Sequence, residues 1–336
     1  MEILYQIPWG TLICLHLLVF ILVCFHCLRE RREPTSALLW IFVAWTLPAV
    51  GALLYLAFGI NRIPVKGWRK HQADLELLQK RRTIVGNAAP PLTYWQSVHK
   101  ASTAEPETEI GQTIHRALDS LLTDYPLLGG NAIDLLIDGD DAYPRMLEAI
   151  DRAQHHIHLQ CFLIRDDSIG VEFFERLRQK AEEGIPVRIL YDRFGSTKSV
   201  LRGFFRRYRR IPHIELVGWT QANPVKRQFQ VNLRNHRKLL IVDGKEAFTG
   251  GINIGQDNVS MRGRPPIRDY HFALTGPIVQ ELQYSFLRDW HFMTDAEPET
   301  LLHEGHFPEL QETGRSLVRV VNSGPTTSEY GIAADA

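Results

Sequence analysis

The segment Asn235-His236-Arg237-Lys238-Leu239-Leu240-Ile241-Val242-Asp243 is the most informative stretch of the chain. Its four consecutive apolar residues predict a short buried strand with polar side chains at both ends. Six residues separate Asp243 from a second polar motif, Gly250-Gly251-Ile252-Asn253. Because residues two apart on a strand point to the same face, we expect His236 and Lys238 to lie side by side where this strand begins.

From about residue 110 onward, helical and strand-like patterns alternate. Short apolar runs are separated by stretches with helical spacing, which predicts an α/β fold whose sheet carries helices on both faces. Ligand sites in such folds gather on loops at strand ends, and the segment around His236 begins at such a loop. The predicted strands are 132–137, 157–164, 187–191, 214–217, 239–242, 247–249 and 270–274, and the predicted helices are 110–122, 142–154, 169–183 and 278–294.

The overall composition excludes few classes of function, but it limits the kinds of binding partner that we expect. The 336 residues include 38 Lys plus Arg and 38 Asp plus Glu, so the chain carries no net charge. A neutral total gives no support to a general nucleic-acid-binding surface. The four cysteines have neither disulfide nor metal-ligand spacing. We therefore expect reduced thiols, no metal ion and no cofactor.

The first 62 residues differ in composition from the rest. Residues 9–28 are almost continuously apolar, and residues 37–60 contain no charged side chain. Each run is long enough to cross a hydrocarbon core of about 30 Å as a helix. The first run lacks the basic residues and the cleavage site of a signal peptide. The short connection at 29–36 thus predicts a transmembrane hairpin over residues 1–62, with both of its ends on one side of the membrane.

Basic residues set the orientation that we expect for this hairpin. More of them follow the second run than lie in the connection, which favours a multi-pass protein with a cytoplasmic body. Residues 63–109 are expected to form a juxtamembrane helix, either solvated or lying on anionic lipid, and then a linker. The basic residues after the second run are Arg62, Lys66, Arg69, Lys70, Lys80, Arg81 and Arg82, and those in the connection are Arg29, Arg31 and Arg32.

The polar residues of the two motifs suit phosphodiester chemistry. A neutral imidazole at His236 can attack phosphorus, while the ammonium of Lys238 neutralises the non-bridging oxygens. The amide of Asn253 offers a donor to the same oxygens, and Gly250 and Gly251 allow backbone to approach a phosphate closely. This arrangement requires no divalent ion.

The order His-x-Lys, Asp and Gly-Gly-x-Asn resembles the signature of the phospholipase D superfamily. Together with the N-terminal apolar runs, His156-Ile157-His158-Leu159-Gln160 and Tyr191-Asp192, the chain resembles bacterial cardiolipin synthases over nearly its whole length. The resemblance implies a phospholipase D-like domain at 110–296 in an enzyme of the bacterial inner membrane. Such an enzyme joins two phosphatidylglycerol molecules into cardiolipin and glycerol through a phosphohistidine intermediate.

The resemblance also implies roles for individual residues. His236 would be the nucleophile or the general acid, with Lys238 and Asn253 as phosphate ligands. Asp243 would hold structure, as would the glycine pair. Asp269, which opens the next predicted strand, would orient the imidazole of His236, although an aspartate there is also an ordinary turn cap.

Two further residues are candidates for the wall of the pocket. His158 lies within a predicted strand and Asp192 ends another, so each faces either the substrate or the interior of the sheet.

The family carries a second His-x-Lys segment in a second domain, and this sequence contains only one. We expect residues 297–336 to be a linker and the opening strand, at 316–325, of an incomplete second domain. Three explanations stay open: a truncated chain, a homodimer in which two His236 segments meet, or a catalytically silent membrane protein. A hydrolase acting on phosphodiesters is also open, but the neutral charge and the apolar runs argue against nucleic acid as a partner.

Overall fold

The computed structural model describes residues 8–29, 34–59, 105–121, 125–219, 235–260 and 265–321, with a few positions between 73 and 102. They fall into two units, Met1–Pro64 and Val65–Ala336. The juxtamembrane helix and linker expected at 63–109 lie almost entirely outside the described residues. The same holds for the end of the chain beyond Val321.

The first apolar run forms the long helix that the sequence predicts. Helix α1 covers Trp9–Arg29, and among the described residues it is the helix long and apolar enough to cross a membrane. The second run is not one long helix. Helix α2 covers Pro34–Thr46 and ends at a turn, after which come α3, Val50–Leu54, and a π-helix, Tyr55–Gly59. The first run therefore forms one helix of spanning length, as expected, whereas the second does not, so the two-helix hairpin is shown only in part.

The larger unit is built on one mixed sheet of eight strands, in the order β4-β3-β2-β5-β6-β7-β1-β8. Strands β2, β3 and β4 are parallel to one another, and all other neighbours pair antiparallel. The predicted α/β class is confirmed. The strands are β1 Leu128–Ile137, β2 Ile157–Cys161, β3 Val187–Asp192, β4 Ile214–Trp219, β5 Lys238–Val242, β6 Glu246–Gly250, β7 Tyr270–Thr275 and β8 Ser316–Val318.

Helices cover both faces of this sheet, as the sequence predicts. On β5, Leu240 and Val242 point into a core shared with α5, α6 and α8. Leu239 and Ile241 point the other way, into a core shared with α9. A strand buried on both faces needs a continuous apolar run, which is what β5 has. The helices are α4 Glu109–Leu121, α5 Asp138–Arg152, α6 Ser168–Glu182, α7 Thr197–Leu201, α8 Phe204–Tyr208, α9 Ile278–Thr294 and α10 Pro298–Leu301.

The last described strand belongs to this sheet. Strand β8, which we expected to open a second domain, pairs antiparallel with β1, and Asn131 lies opposite Ser316. The Asn131 side-chain amide donates a hydrogen bond to the Ser316 carbonyl oxygen at 3.1 Å. These residues therefore extend the sheet of the larger unit and form its edge strand beside β1.

Candidate active site

His236 and Lys238 lie side by side at the start of β5. Lys238 is only 4% exposed, and its Nζ donates a hydrogen bond to the His236 carbonyl oxygen at 2.8 Å. The same Nζ lies 3.0 Å from His236 Nδ1. The His236 ring is exposed on its other side and rests against the ring of Phe162, with centroids 4.4 Å apart. The site thus presents an accessible imidazole next to a sheltered ammonium.

The surroundings favour the neutral imidazole at His236. Partial burial and the adjacent ammonium of Lys238 lower the pKa of His236, while the carboxylate of Asp192 opposes them. Burial also lowers the pKa of Lys238, against the opposing influence of Cys161 and Asp269. A neutral imidazole has a free lone pair for attack on phosphorus, so the lowered pKa of His236 suits a nucleophile.

Gly250 and Gly251 have a role in the packing of the sheet that the sequence did not reveal. A β-carbon on Gly250 would collide with the Tyr270 carbonyl oxygen and lie 2.7 Å from the Cα of His271. A β-carbon on Gly251 would overlap the carboxylate of Asp269. Both glycines are therefore needed for the close approach of β7, in addition to any approach of a phosphate.

Asn253 is held on one side and open on the other. Its Oδ1 accepts a hydrogen bond from the Leu163 amide at 3.2 Å, and its carbonyl oxygen accepts one from the Tyr143 hydroxyl at 2.6 Å. With Oδ1 engaged in this way, the amide NH₂ remains as the donor for a ligand oxygen. The role of Asn253 as a phosphate ligand stays a prediction.

Asp269 does not contact the ring of His236. Its Oδ1 accepts the Tyr270 amide at 2.8 Å, and among the described residues no hydrogen bond links its carboxylate to His236. It lies instead against Gly251 and close enough to Lys238 to influence the pKa of that lysine. The expected orienting role is therefore wrong for this structure, because the turn into β7 directs the carboxylate toward the ammonium.

Asp243 occupies the opposite end of β5 and holds backbone, as expected. Its carboxylate accepts the amide hydrogens of three consecutive residues, Gln154 at 2.9 Å, His155 at 2.7 Å and His156 at 3.0 Å. These residues lead into β2, which is paired with β5. Asp243 therefore fixes the two central strands relative to each other and lies away from the substrate end.

Asp192 lies next to the His236 segment but faces backbone. Its Oδ1 accepts the amides of Phe194 and Gly195, both at 2.9 Å, and its Oδ2 accepts the Asn235 amide at 3.3 Å. Its charge also raises the pKa of His236. The carboxylate therefore ties the turn after β3 to the residue before the imidazole.

Of the two alternatives for His158, the structure shows the interior of the sheet and not the wall of the pocket. His158 lies opposite Ile241 in the sheet and so shares the face that α9 covers, whereas Lys238 points to the other face. Its ring is 1% exposed and stacks on Phe286 at 4.5 Å. The Gln283 amide donates a hydrogen bond to its Nδ1 at 2.9 Å. Strand alternation, invisible without the register, separates His158 from the site.

His158 belongs instead to a cluster of four imidazoles, of which His156, His158 and His306 are buried and His303 is exposed. Its ring centroid is 4.6 Å from that of His156 and 5.1 Å from that of His306, and the ring centroid of His303 lies 4.0 Å from that of His306. Burial, and then the like charges of the neighbouring imidazoles and Arg188, lower the pKa of His158 well below its ordinary value. The pKa of His156 falls to about 4, mainly through burial.

Asp289 is an anchor of the site that sequence reasoning missed. Its buried Oδ2 accepts hydrogen bonds from Asn235 Nδ2 at 2.8 Å, Arg237 Nη1 at 2.7 Å and Gln160 Nε2 at 2.8 Å. The residues on both sides of His236 are thus tied to one carboxylate on α9. The sequence offered one signal for this role, which is a charged residue placed between the apolar residues of a predicted core helix.

His271 is a second residue that the sequence analysis missed. It lies opposite Gly250 in β7, is 1% exposed, and neither ring nitrogen has a hydrogen-bond partner among the described residues. Burial and the charge of Lys238 lower its pKa to about 4. His271 therefore forms a neutral wall behind the glycine pair.

Removing either charge next to His236 is expected to shift its pKa in opposite directions. Lys238→Met removes the repelling ammonium and raises the pKa of His236, whereas Asp192→Asn removes an attracting carboxylate and lowers it. NMR titration of isotope-labelled histidines checks this, with His236→Ala assigning the resonance. An unchanged pKa in both variants would contradict the arrangement.

Asp243→Ala is expected to destabilise the larger unit. Three amide hydrogens lose a charged acceptor, which we expect to lower the free energy of unfolding by about 3 kcal/mol. Asp243→Asn retains an acceptor oxygen and is expected to cost less. Urea unfolding of the full chain in detergent measures both, and equal stabilities of the alanine variant and the parent would contradict the role of Asp243.

The imidazole cluster is expected to make folding sensitive to acid. Unfolded imidazoles titrate near pH 6.5, whereas the folded cluster titrates much lower, so unfolding takes up protons as the pH falls below that value. The contribution of the cluster to the free energy of unfolding is then at its maximum above about pH 7. Below that pH, the free energy of unfolding falls by up to about 1.4 kcal/mol per pH unit for each imidazole. Unfolding at pH 7.5 and pH 5 tests this: His158→Leu reduces the slope, and His155→Ala, at an exposed histidine, leaves it unchanged. A slope unaffected by His158→Leu would contradict the account.

Comparison with known proteins finds a matching family model in each of the two units. A family model described as "Cardiolipin synthase, PLD-like domain" matches residues 146–290, which include the whole His-x-Lys motif. A second model, "Phospholipase_D-nuclease N-terminal", matches residues 18–59. Among solved structures, the phospholipase D family member Nuc from Salmonella typhimurium aligns at a TM-score of 0.36, with 18% identity over 49% of this chain and 95% of that one.

Curated relatives align with nearly the whole chain. The major cardiolipin synthase ClsA of Bacillus subtilis (strain 168) is 31% identical over 322 residues, 93% of this chain and 62% of that protein. The cardiolipin synthase of Halalkalibacterium halodurans is 34% identical over 312 residues, 89% of this chain and 56% of that protein. The chain thus spans about three fifths of the length of the relatives it matches. Residues 146–290, which carry the His-x-Lys motif, thus match the PLD-like domain of cardiolipin synthases, and most of the chain is similar in sequence to these enzymes.

Proposed function

We propose that this chain supplies one His-x-Lys half of a phosphatidyltransferase site that converts phosphatidylglycerol to cardiolipin at a bacterial inner membrane. The observation that carries the proposal is an exposed, neutral imidazole at His236 beside the sheltered ammonium of Lys238. The apolar helix α1 supports a lipid substrate, since it can hold the domain at a bilayer. The catalytic body lies on the cytoplasmic side in this proposal.

The reaction divides into two displacements at one phosphorus. A ring nitrogen of His236 attacks the phosphorus of one phosphatidylglycerol, a phosphorus–nitrogen bond forms, and the headgroup glycerol leaves with a proton from a general acid. A glycerol hydroxyl of a second phosphatidylglycerol then attacks the phosphohistidine, returns its proton, and releases cardiolipin. Lys238 and the Asn253 amide balance the charge on the non-bridging oxygens in both steps.

The general acid of the first displacement comes from a second His-x-Lys segment in this proposal. The sequence holds one such segment, and within the described residues His271, the other imidazole close to Lys238, is buried. A second copy of the chain, or a second half supplied separately, provides the partner imidazole. The single motif also favours a second candidate function, a phosphodiesterase that works as a homodimer on phospholipid, with water as the acceptor.

Conversion of lipid in vesicles tests the proposal. The full chain in phosphatidylglycerol vesicles is expected to form a phosphatidyl adduct, trapped at alkaline pH, together with cardiolipin and glycerol where the second imidazole is present. His236→Ala is expected to abolish the adduct, and Lys238→Met to reduce it at least about 100-fold through lost charge stabilisation. The exposed His155→Ala variant is the matched control and keeps the activity.

The products separate the alternatives. Adduct without cardiolipin marks a half-site, and phosphatidic acid as the main product marks the hydrolase. Undiminished conversion by His236→Ala, or no adduct with the parent chain, would overturn the assignment and favour a catalytically silent membrane protein.

A further inference from the structure

The second apolar run reverses its direction inside the N-terminal unit. Helix α2 ends where the Leu47 amide donates its bond to the Val43 carbonyl oxygen at 3.1 Å. Ala49 then takes a left-handed φ of 60°, and the Gly51 amide donates to the Leu47 carbonyl oxygen at 2.7 Å. Pro48, within this turn, has no amide hydrogen with which to continue the helix. A tight turn thus divides the run into two limbs.

The second limb packs back along the first one. A β-carbon on Gly51 would collide with the Val43 carbonyl oxygen and lie 2.9 Å from the Cα of Ala44. Eight residues of continuous helix would instead hold Val43 and Gly51 about 12 Å apart. The absent side chain of Gly51 therefore allows the two limbs to touch at backbone distance.

Tyr55 fixes the other end of this packing. Its ring is 2% exposed and lies 5.8 Å from the ring of Trp40 on α2. Its hydroxyl is 2.7 Å from Nδ1 of His26 on α1. His26 is near the end of α1 that leads into the connection at 30–33, so the second limb returns toward that connection.

Helix lengths agree with a run that enters the bilayer without crossing it. The 21 residues of α1 extend about 31 Å, which matches a hydrocarbon core of about 30 Å. The 13 residues of α2 extend about 20 Å, which falls short of it. The outward faces of both limbs are apolar, as lipid contact requires: Leu38, Leu39, Phe42, Trp45, Leu47, Val50, Leu53 and Leu56 are all exposed.

We infer that residues 34–59 form a re-entrant hairpin in the membrane, with its tip at residues 47–49 inside the hydrocarbon. The chain then crosses the bilayer once, through α1. Its N-terminal end lies on one side, and the connection at 30–33 and the exit after Gly59 lie together on the other. This topology replaces the two-span hairpin expected from hydropathy, and it does not depend on the proposed activity.

The distribution of charge gives independent support. In this arrangement Arg29, Arg31, Arg32 and the seven basic residues at 62–82 fall on one side, and Glu2 is the one charged side chain before Trp9. A two-span hairpin would place the three arginines opposite the seven. Because basic residues concentrate on the cytoplasmic side, the re-entrant arrangement fits the positive-inside tendency without conflict.

Cysteine labelling in intact and permeabilised cells tests the topology. The full chain, with its four native cysteines replaced by alanine, carries one new cysteine at Glu2, Glu33 or Arg62, and a membrane-impermeant maleimide reports the side of each. We expect Glu33→Cys and Arg62→Cys to label together from the cytoplasmic side, and Glu2→Cys from the opposite side. Labelling of Glu2→Cys and Arg62→Cys from one side and Glu33→Cys from the other would overturn the inference, as would all three on one side.

A distance measurement keeps the test independent of labelling chemistry. Spin labels at the exposed positions Leu38 and Leu56 would be about 27 Å apart along a continuous helix, whereas packed antiparallel limbs hold the backbones about 10 Å apart. We expect the short distance in membranes. Gly51→Leu is expected to lengthen it, while Gly10→Leu, where a β-carbon meets open space, is the matched control and leaves it unchanged. A distance near 27 Å in the parent chain would overturn the inference.

Discussion

The site depends on an ammonium held out of water at the start of a central strand. Lys238 is buried between β2 and β6, and a buried cation is costly unless polar groups surround it. The carbonyl oxygen of His236 accepts its hydrogen bond, and the carboxylate of Asp269 lies nearby. Partial burial and this ammonium lower the pKa of His236 and so favour its neutral form. The sheet thus sets the position of His236 and contributes to its lowered pKa.

Two carboxylates fix the ends of β5. Each does so through hydrogen bonds, either to backbone amides or to the side chains of neighbouring residues. Asp243 binds three amides at the start of β2, which fixes β5 against its partner strand. Asp289 binds Asn235 and Arg237, which leaves the His236 ring free between two tethered residues. If His236 lay on a flexible loop, the loop would have to be ordered at each turnover, at a cost in conformational entropy. Tethering the residues on both sides of His236 therefore favours catalysis.

Much of this arrangement was predictable because it is local in the sequence. The apolar run of β5, the alternation that places Lys238 next to His236, and the helices on both faces follow from short-range periodicity. Asp243 was correctly expected to hold structure. By contrast, the sequence left the face of His158 open and gave Asp269 the wrong partner, since both depend on register between strands far apart in sequence. Asp289 was missed because α9 meets the site only in the folded chain.

Sequence by itself determined the α/β class, the candidate reacting groups and one apolar helix long enough for a membrane. These properties depend on composition and on spacing within a few residues. The tertiary structure alone decided which side chains meet: β7 fills the space beside Gly250 and Gly251, and α9 seals the imidazole cluster. It also decided that the second apolar run turns back at Pro48. A hydropathy profile gives the length of an apolar run but not whether the chain reverses within it. Only the packing of Gly51 against α2 revealed the reversal.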